Sequence, residues 1–246
     1  MFPKICSLGP VTIHSYGLAI ALGVFLCILL MTRSARRFGF PPSEKVMDLV
    51  FVVVFSGFLG ARLFYVVQEW EWYRSHLWEI FQIWKGGLVY YGGMIGSFLS
   101  LFIYLRGVRL PILQTTDFLI THVPLAHAFG RLGCFLNGCC YGKSSTLPWA
   151  VRFPFPPEAV HPTQAYELLF NLSLFGLLFW YYPRRRFAGE GIILYLVTYS
   201  LGRFLLEFFR GDQPLSFFGY SLHQILSLLF IAVAIASYGI HRLRRG

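Results

Sequence analysis

Charge is scarce in this sequence. Only 13% of its 246 residues are charged, and just 11 are acidic. Soluble globular domains average about 25% charged residues, so a water-facing globule of this length is excluded. Cysteine is scarce as well, five in all, and their spacing matches none of the paired zinc-ligand patterns. There is no low-complexity tract, no long polar linker and no strong internal repeat. Repeat arrays and tethered soluble domains are thereby set aside, and residues 1–246 are expected to form one domain. The first residues lack the basic start and small-residue cleavage site of a signal peptide, so the first apolar run is expected to be retained.

What the chain has instead is apolar surface. It is 56% hydrophobic and 19% aromatic, with a mean hydropathy of +0.60. Runs long enough to cross a hydrocarbon core recur at 16–31, 49–67, 88–105, 118–136, 166–182, 192–209 and 221–238. This pattern predicts an all-α, polytopic membrane protein with seven transmembrane helices.

The formal charge of +10 does not point to nucleic acid, because the basic residues cluster between runs. Arg33, Arg36, Arg37 and Lys45 follow the first run, Arg106 and Arg109 the third, Arg184, Arg185 and Arg186 the fifth, and Arg242, Arg244 and Arg245 the seventh. With seven spans these all fall on one side, and cytoplasmic loops are the positive ones. The N-terminus is therefore expected outside and the C-terminus in the cytoplasm. The outer segments are then 1–15, 68–87, 138–164 and 211–220. Trp70, Trp72, Tyr73, Trp78 and Trp84 mark the second as an arm lying on the interface. Pro148, Pro154, Pro156, Pro157 and Pro162 break up the third into a small irregular external head, 138–164.

Chemistry concentrates between His127 and Gly142. Glycines 130, 133, 138 and 142 permit close backbone approach and tight turns, while Arg131 and Asn137 bring a fixed cation and an amide to the membrane surface. That suits an anion; the alternative is a small-residue packing face ending in a snorkelling arginine. Arg62, His122, His127, Arg131, Glu167, Arg203 and Glu207 all fall within apolar runs, where each ionisable group needs a partner or a wet cavity. Tyr195, Tyr199, Arg203 and Glu207 recur every four residues and form one polar stripe, in which Arg203 and Glu207 pair. The three arginines outnumber the two carboxylates, which favours an anionic ligand, and a phospholipid phosphate is the anion met at that depth. His122 and His127 are expected to hydrogen-bond between helices, His161-Pro162 to cap a helix start, and Gln224 to join helices. Cys134, Cys139 and Cys140 are read as small structural residues, with no metal and no nucleophile expected.

At these residues the chain resembles the bacterial prolipoprotein diacylglyceryl transferase family. Gly130-Arg-Leu-Gly133 with Phe135, Asn137-Gly138 and Gly142 resembles the family signature. In matching order come His14-Ser-Tyr16-Gly17, Gly60-Ala-Arg62, Trp84-Lys-Gly-Gly-Leu88, Gly92-Gly93-Met-Ile-Gly96, His161-Pro-Thr-Gln164-Ala-Tyr166-Glu167, Arg203 with Glu207-Phe-Phe-Arg210, and Gln224-Ile-Leu-Ser227. The resemblance covers nearly the whole chain. It implies transfer of the diacylglyceryl group of phosphatidylglycerol to the lipobox cysteine thiol of an exported prolipoprotein, in the bacterial cytoplasmic (inner) membrane. A thioether forms and glycerol phosphate leaves.

By the same resemblance, Arg131 and Arg203 bind the phosphate and stabilise the leaving group, and Glu207 orients Arg203. Tyr16, Asn137, Gly142, Tyr199, Arg62 and His161 shape the substrate pocket. No cofactor, no metal and no oligomer is implied; the partners are phosphatidylglycerol, prolipoprotein lipobox peptides and membrane lipids. Three positions depart from the family pattern. Tyr91 stands where a histidine base is common, Cys134 where asparagine is usual, and Cys139 where glutamate is usual. Tyrosines ionise near pH 10, so Tyr91 replaces a neutral-pH base with a group that is an acid at that pH. A non-catalytic phospholipid-binding paralogue, or an enzyme passing the same lipid to another acceptor, is the alternative.

Overall fold

A computed structural model describes residues 4–8, 11–83, 86–154, 157–211, 215–217 and 219–243. Trp84 of the arm, Pro156 of the head and the basic residues Arg244 and Arg245 lie outside them. Among the described residues eight α-helices run in chain order: α1 Ser15–Phe38, α2 Lys45–Gln68, α3 Trp70–Tyr73, α4 Tyr90–Gly107, α5 Ile112–Asn137, α6 Thr163–Tyr181, α7 Glu190–Glu207 and α8 Leu222–Leu243. Short antiparallel hairpins precede α1 and α8, formed by β1 Lys4–Leu8 with β2 Val11–His14 and by β3 Leu215–Phe217 with β4 Tyr220–Ser221.

All the helices except the one-turn α3 have 18 or more residues and coincide with the seven apolar runs. Four of them, α1, α2, α5 and α8, are long and apolar enough to cross a membrane. The other three are the shortest, and each carries polar or small residues: α4 has Tyr90, Tyr91 and three glycines in its first two turns, α6 has Gln164, Glu167 and Asn171, and α7 has Glu190, Arg203 and Glu207. Mid-helix side chains such as Phe25, Phe51, Phe98, Ile103, Leu169 and Ile235 are each more than half exposed. Exposed apolar surface on that scale needs lipid around it; this is a membrane protein.

The chain divides into two units, Leu30–Thr115 and the paired segments Met1–Leu29 and Thr116–Gly246. In the first, α2 packs on α4 at very short range. A Cβ on Gly60 would lie 2.4 Å from the carbonyl oxygen of Gly92 and 3.1 Å from the Gly96 Cα, the close crossing that small residues allow in lipid. Ser97 Oγ–H donates to the Val53 carbonyl across this contact at 2.8 Å. Arg62, buried on α2, donates to the carbonyls of Glu79, Ile80, Gly86 and Gly87 at 2.7 to 3.1 Å. It lies against the rings of Tyr65 and Tyr73. It thus binds the aromatic arm and the lead-in to α4, where an unpaired backbone carbonyl would otherwise meet hydrocarbon. The arm itself is α3 followed by a 3-10 turn, with Trp70, Trp72 and Trp78 exposed.

In the second unit Glu167 near the start of α6 meets Arg131 near the end of α5 and Arg203 near the end of α7. Asp117, in the first half of α5, accepts backbone N–H groups of Gly189 (2.7 Å) and Ile192 (2.9 Å) at the start of α7. Helices α5 and α7 therefore run parallel, with α6 antiparallel to both. Asp117 is fully buried, with the Arg185 guanidinium 3.7 Å away. A carboxylate on one helix thus caps the positive end of another. Among its described residues the head is irregular, as its prolines predict, with isolated bridges such as Val151 with Val160.

Replacing Asp117 by alanine leaves two backbone donors and a guanidinium without their acceptor. The expected loss is about 3 kcal/mol, seen as a lower thermal midpoint of the purified protein in detergent. Unchanged melting would show that the cap is idle.

Candidate active site

The site is assembled around one carboxylate. Glu167 is 2% exposed and its two oxygens are shared by three arginines from different parts of the chain. Arg131 Nε lies 2.8 Å from Oε2, Arg203 Nη1 3.2 Å and Arg210 Nη1 3.0 Å from Oε1. Glu207 closes the group, with Oε2 2.9 Å from Arg203 Nη2, one turn away on α7, and 3.9 Å from Arg210 Nε. Three guanidinium groups thus face two buried carboxylates, leaving one net positive charge in a cluster largely withdrawn from solvent. A surplus of that kind holds an anion, since an unbalanced buried cation is expensive.

Arg131 is the open member. Its Nε is engaged by Glu167 and, at 3.3 Å, by His127 Nε2. Among the described residues nothing is bonded to its two terminal nitrogens, so the outer edge of the fork is presented for a bidentate oxyanion. Arg203 is held from both sides by the two glutamates. Arg210 is held through its backbone too. The amide of Lys143 donates to the Phe209 carbonyl and that of Gly142 to the His161 carbonyl, both at 2.9 Å, and Gly142 bridges with Arg210. A Cβ at Gly142 would stand 2.4 Å from the Phe209 oxygen, so only glycine lets the head lie against the segment carrying Arg210.

Local sequence explains how the other walls are set. Ser221 and Gln224 form a reciprocal capping box at the start of α8: the Gln224 amide donates to Ser221 Oγ at 3.3 Å and the Ser221 amide to Gln224 Oε1 at 3.0 Å. Gln224 therefore caps its own helix rather than joining two helices, and the Ser-x-x-Gln spacing already held that signal. Ser221 Oγ–H also donates to Glu207 Oε1 at 2.8 Å. At the start of α6, Thr163 Oγ–H donates to the Cys140 carbonyl (2.9 Å) and Gln164 Nε2–H to the Cys139 carbonyl (2.6 Å), which pins the turn after α5. His161 makes no side-chain cap to α6. Its ring packs on Phe209 and Tyr166, with Nδ1 3.3 Å from the Tyr166 hydroxyl, which also accepts from Trp149.

Of the residues singled out from sequence, Arg131, Arg203 and Glu207 come together, and Glu167 joins them as the hub. Tyr199 stacks on Tyr195 (5.2 Å between ring centroids) and lies 5.7 Å from the ring of His127, the residue bonded to Arg131. Tyr16 sits over Gly133 on α5, and Asn137 is exposed at the end of the same helix. The third arginine of the group is Arg210, not Arg62: Arg62 belongs to the other unit and spends its donors on four backbone carbonyls. Tyr91 is half exposed in the first turn of α4, also in that unit. His122 is buried, bonded to the Phe118 carbonyl, and takes no part. Sequence reasoning gave Arg210 no role, although its position three residues after Glu207 is the available signal.

The cysteines are also drawn together. The sulfurs of Cys134, Cys139 and Cys140 all lie within 4.8 Å of one another. The Cys140 thiol, beyond the end of α5, is held below the usual thiol range by hydrogen bonding from Cys134, and further by Cys139 and by the charges of Arg131 and Arg210, against the effect of burial. A groove of about 1050 Å³ lined by Ser144, Leu147, Arg152 and Glu158 lies in the head, and none of the clustered arginines lines it.

Glu167→Gln keeps the shape of the hub but leaves three arginines facing one charge. The expected loss of stability is about 3 kcal/mol, read as a lower thermal midpoint that millimolar inorganic phosphate partly restores; an unchanged midpoint would show that the hub is not needed for the fold.

Comparison with known proteins bears on this geometry. The family model described as prolipoprotein diacylglyceryl transferase matches residues 3–240. The phosphatidylglycerol–prolipoprotein diacylglyceryl transferase of Clostridium tetani is 33% identical over 250 residues, covering 100% of both chains. That of Thermosynechococcus vestitus is 37% identical over 96% of this chain and 90% of its own. The Bordetella parapertussis protein of the same name is 35% identical over 96% of this chain and 94% of its own. With the match running through both units and every arginine of the cluster, this chain belongs to the prolipoprotein diacylglyceryl transferase family.

Proposed function

We propose that the protein moves the diacylglyceryl group of phosphatidylglycerol to the lipobox cysteine thiol of a prolipoprotein, with Arg131 and Arg203 as the groups that carry the chemistry. The observation behind this is the open fork of Arg131 beside a cluster with one surplus positive charge. The lipid phosphate docks on that fork. The acceptor sulfur attacks the glyceryl carbon that bears the phosphate ester; a C–S bond forms as the C–O bond breaks, and glycerol phosphate leaves with the bonding pair. Negative charge grows on the phosphate oxygens during this step, and fixed guanidinium groups stabilise it without reorganising. Glu207 and Glu167 hold Arg203 in line from two sides, and Arg210 adds a third cation.

Tyr16, Tyr199, Asn137, Gly142 and His161 are assigned to shaping the substrate pocket, Gly142 through the packing that positions Arg210. Arg62 serves as a brace for the arm. Tyr91 is assigned the acid/base part through its hydroxyl. This rests on its matching the position of the family's usual histidine.

The seven long helices are read as seven spans. The shortest, 18 residues, rises about 27 Å, close to a hydrocarbon core of about 30 Å. Helices α1, α4 and α8 end in basic residues, and Arg184 to Arg186 follow α6. The N-terminus then faces outward, the head 138–164 lies on the outer face, and the C-terminus is cytoplasmic. The protein works as a monomer in the bacterial cytoplasmic membrane, with 1–246 as one functional domain.

Topology is checked with reporters: one fused after Gly246 should be cytoplasmic and one inserted at Ser144 external. An external C-terminal reporter would overturn the seven-span reading.

Incubation of the purified protein with phosphatidylglycerol and a lipobox peptide should yield thioether-modified peptide and glycerol phosphate in equal amounts. Arg131→Lys and Arg203→Lys keep the charge but lose the fork, and turnover should fall at least about tenfold in each. Full activity in both would sink the phosphate assignment. Tyr91→Phe should strongly depress transfer and Tyr91→His retain or raise it. An unchanged phenylalanine rate would move the base elsewhere, with His161 next. Lipid binding without peptide modification in wild type would favour a non-catalytic phospholipid-binding paralogue, and headgroup release without it an enzyme with another acceptor.

A further inference from the structure

Three cysteines that share no zinc-motif spacing in sequence are brought to one point by the way α5 ends. Cys134 lies in the last turn of α5. Gly138 and Cys140 both adopt positive φ, 74° and 62°, which curls the chain back so that Cys139 and Cys140 return toward Cys134. The turn is not left to itself. Thr163 and Gln164 of α6 bond the carbonyls of Cys140 and Cys139, and the Cys139 thiol donates to the Cys134 carbonyl at 3.7 Å. An αL conformation at a non-glycine residue carries strain of order 1 to 3 kcal/mol, and it persists here because the neighbouring helix holds both carbonyls. All three residues are partly exposed, and their sulfurs lie within 4.8 Å of one another.

That spacing is close to what one metal ion needs. A metal–thiolate bond of about 2.3 Å places sulfurs about 4.0 Å apart around a trigonal ion, so each edge of the triangle has to close by less than about 1 Å. Among the described residues no histidine or carboxylate joins the cluster as a ligand. Three sulfur donors and no oxygen or nitrogen select a soft cation over zinc's usual tetrahedral set or a hard divalent ion. We propose that Cys134, Cys139 and Cys140 form a three-coordinate binding site for a soft thiophilic cation such as Cu(I), poised to compete with the lipid phosphate for Arg131.

The competition follows from charge and position. Cys134 lies three residues after Arg131 on α5, on the same helix face. Binding of Cu(I) by the three cysteines releases to water the protons their thiols still carry and leaves a trithiolate complex with a net charge of −2. That anion sits next to the arginine whose terminal nitrogens are open, and it draws the fork away from an incoming phosphate. This last step rests on the phosphate role proposed for Arg131; the metal site itself does not.

The test separates the two. Full-length protein in detergent micelles, reduced and kept anaerobic, is titrated with Cu(I) against a competing Cu(I) chelator, and bound copper is counted per chain. Wild type should take up one ion. The variant Cys134→Ser/Cys139→Ser/Cys140→Ser should take up none, with its fold checked by thermal melting. Equal uptake by that variant, or no uptake by active wild type, overturns the site. If the triple variant does not fold, Cys140→Ser alone should weaken binding by at least about tenfold, and unchanged affinity overturns the site equally. With copper bound, the KM for phosphatidylglycerol should rise severalfold and return on addition of chelator. Stoichiometric uptake that leaves KM unchanged supports the metal site and overturns the competition for Arg131.

Discussion

The arrangement of α5, α6 and α7 depends on the sharing of one buried carboxylate by three arginines. Without Glu167, Arg131, Arg203 and Arg210 would meet as like charges in a medium where each unpaired ion costs several kcal/mol. With it, they converge at 2.8 to 3.2 Å. The neutralisation is deliberately incomplete in effect: Glu207 supplies the only other carboxylate in the group, so one positive charge is left over. A balanced cluster would hold the helices just as well and have no electrostatic use for an anion. A stronger surplus would not pack. The fold and the proposed site therefore draw on the same ion network, and its surplus is the feature that suits an anion.

Such a network works only if its members are held in place independently of the ligand. At one end of α7, Asp117 fixes the helix start to α5 through two backbone N–H groups; at the other, Glu207 is bonded by Ser221, whose own helix is closed by the Gln224 capping box. Arg203 thus sits on a helix tied at both termini. Arg210 lies just beyond it, held by main-chain pairing with the head at Gly142. Positioning by backbone contacts suits the chemistry, because a guanidinium that had to move to meet a growing charge would lose much of its benefit.

The seven long helices were legible because each is an apolar run, and the Arg203–Glu207 pair because both lie on one helix at a spacing of four. Contacts made between elements left no such trace. Asp117 reads as one acidic residue near a helix start, and nothing local says that its partners are Gly189 and Ile192. Arg62 and Arg131 look alike in sequence, each an arginine in an apolar run. One proves to be buried against backbone carbonyls of the aromatic arm and the other paired with a buried carboxylate, a difference set by chain segments 17 to 36 residues away. Gln224 is the opposite case: its capping box was local and complete, and an apolar setting drew attention to interhelical bonding instead. The cysteines show why spacing fails where a turn intervenes, since positive φ at Gly138 and Cys140 brings together sulfurs that helix periodicity would separate.

A thiol acceptor must lose its proton before it attacks, and Tyr91 in place of a histidine looks ill suited to take it. Cys140 shows how one thiol here is drawn toward its thiolate. Hydrogen bonding from Cys134 favours its thiolate most, and the positive charges of Arg131 and Arg210 push in the same direction even though burial opposes them. Its neighbour Cys139 is pushed up instead, chiefly by burial, so position within the cluster, and not arginine charge alone, decides a thiol's pKa here. Each unit of downward shift is a factor of ten in the thiolate fraction at neutral pH. Nucleophilicity declines more slowly than basicity, with a Brønsted slope of about 0.5 in thiol exchange, so the gain in thiolate outweighs the loss in reactivity until the pKa reaches ambient pH. A thiol that met the charges of Arg131 and Arg210 as Cys140 does would gain more in thiolate than it lost in reactivity, and the demand on any base would fall accordingly.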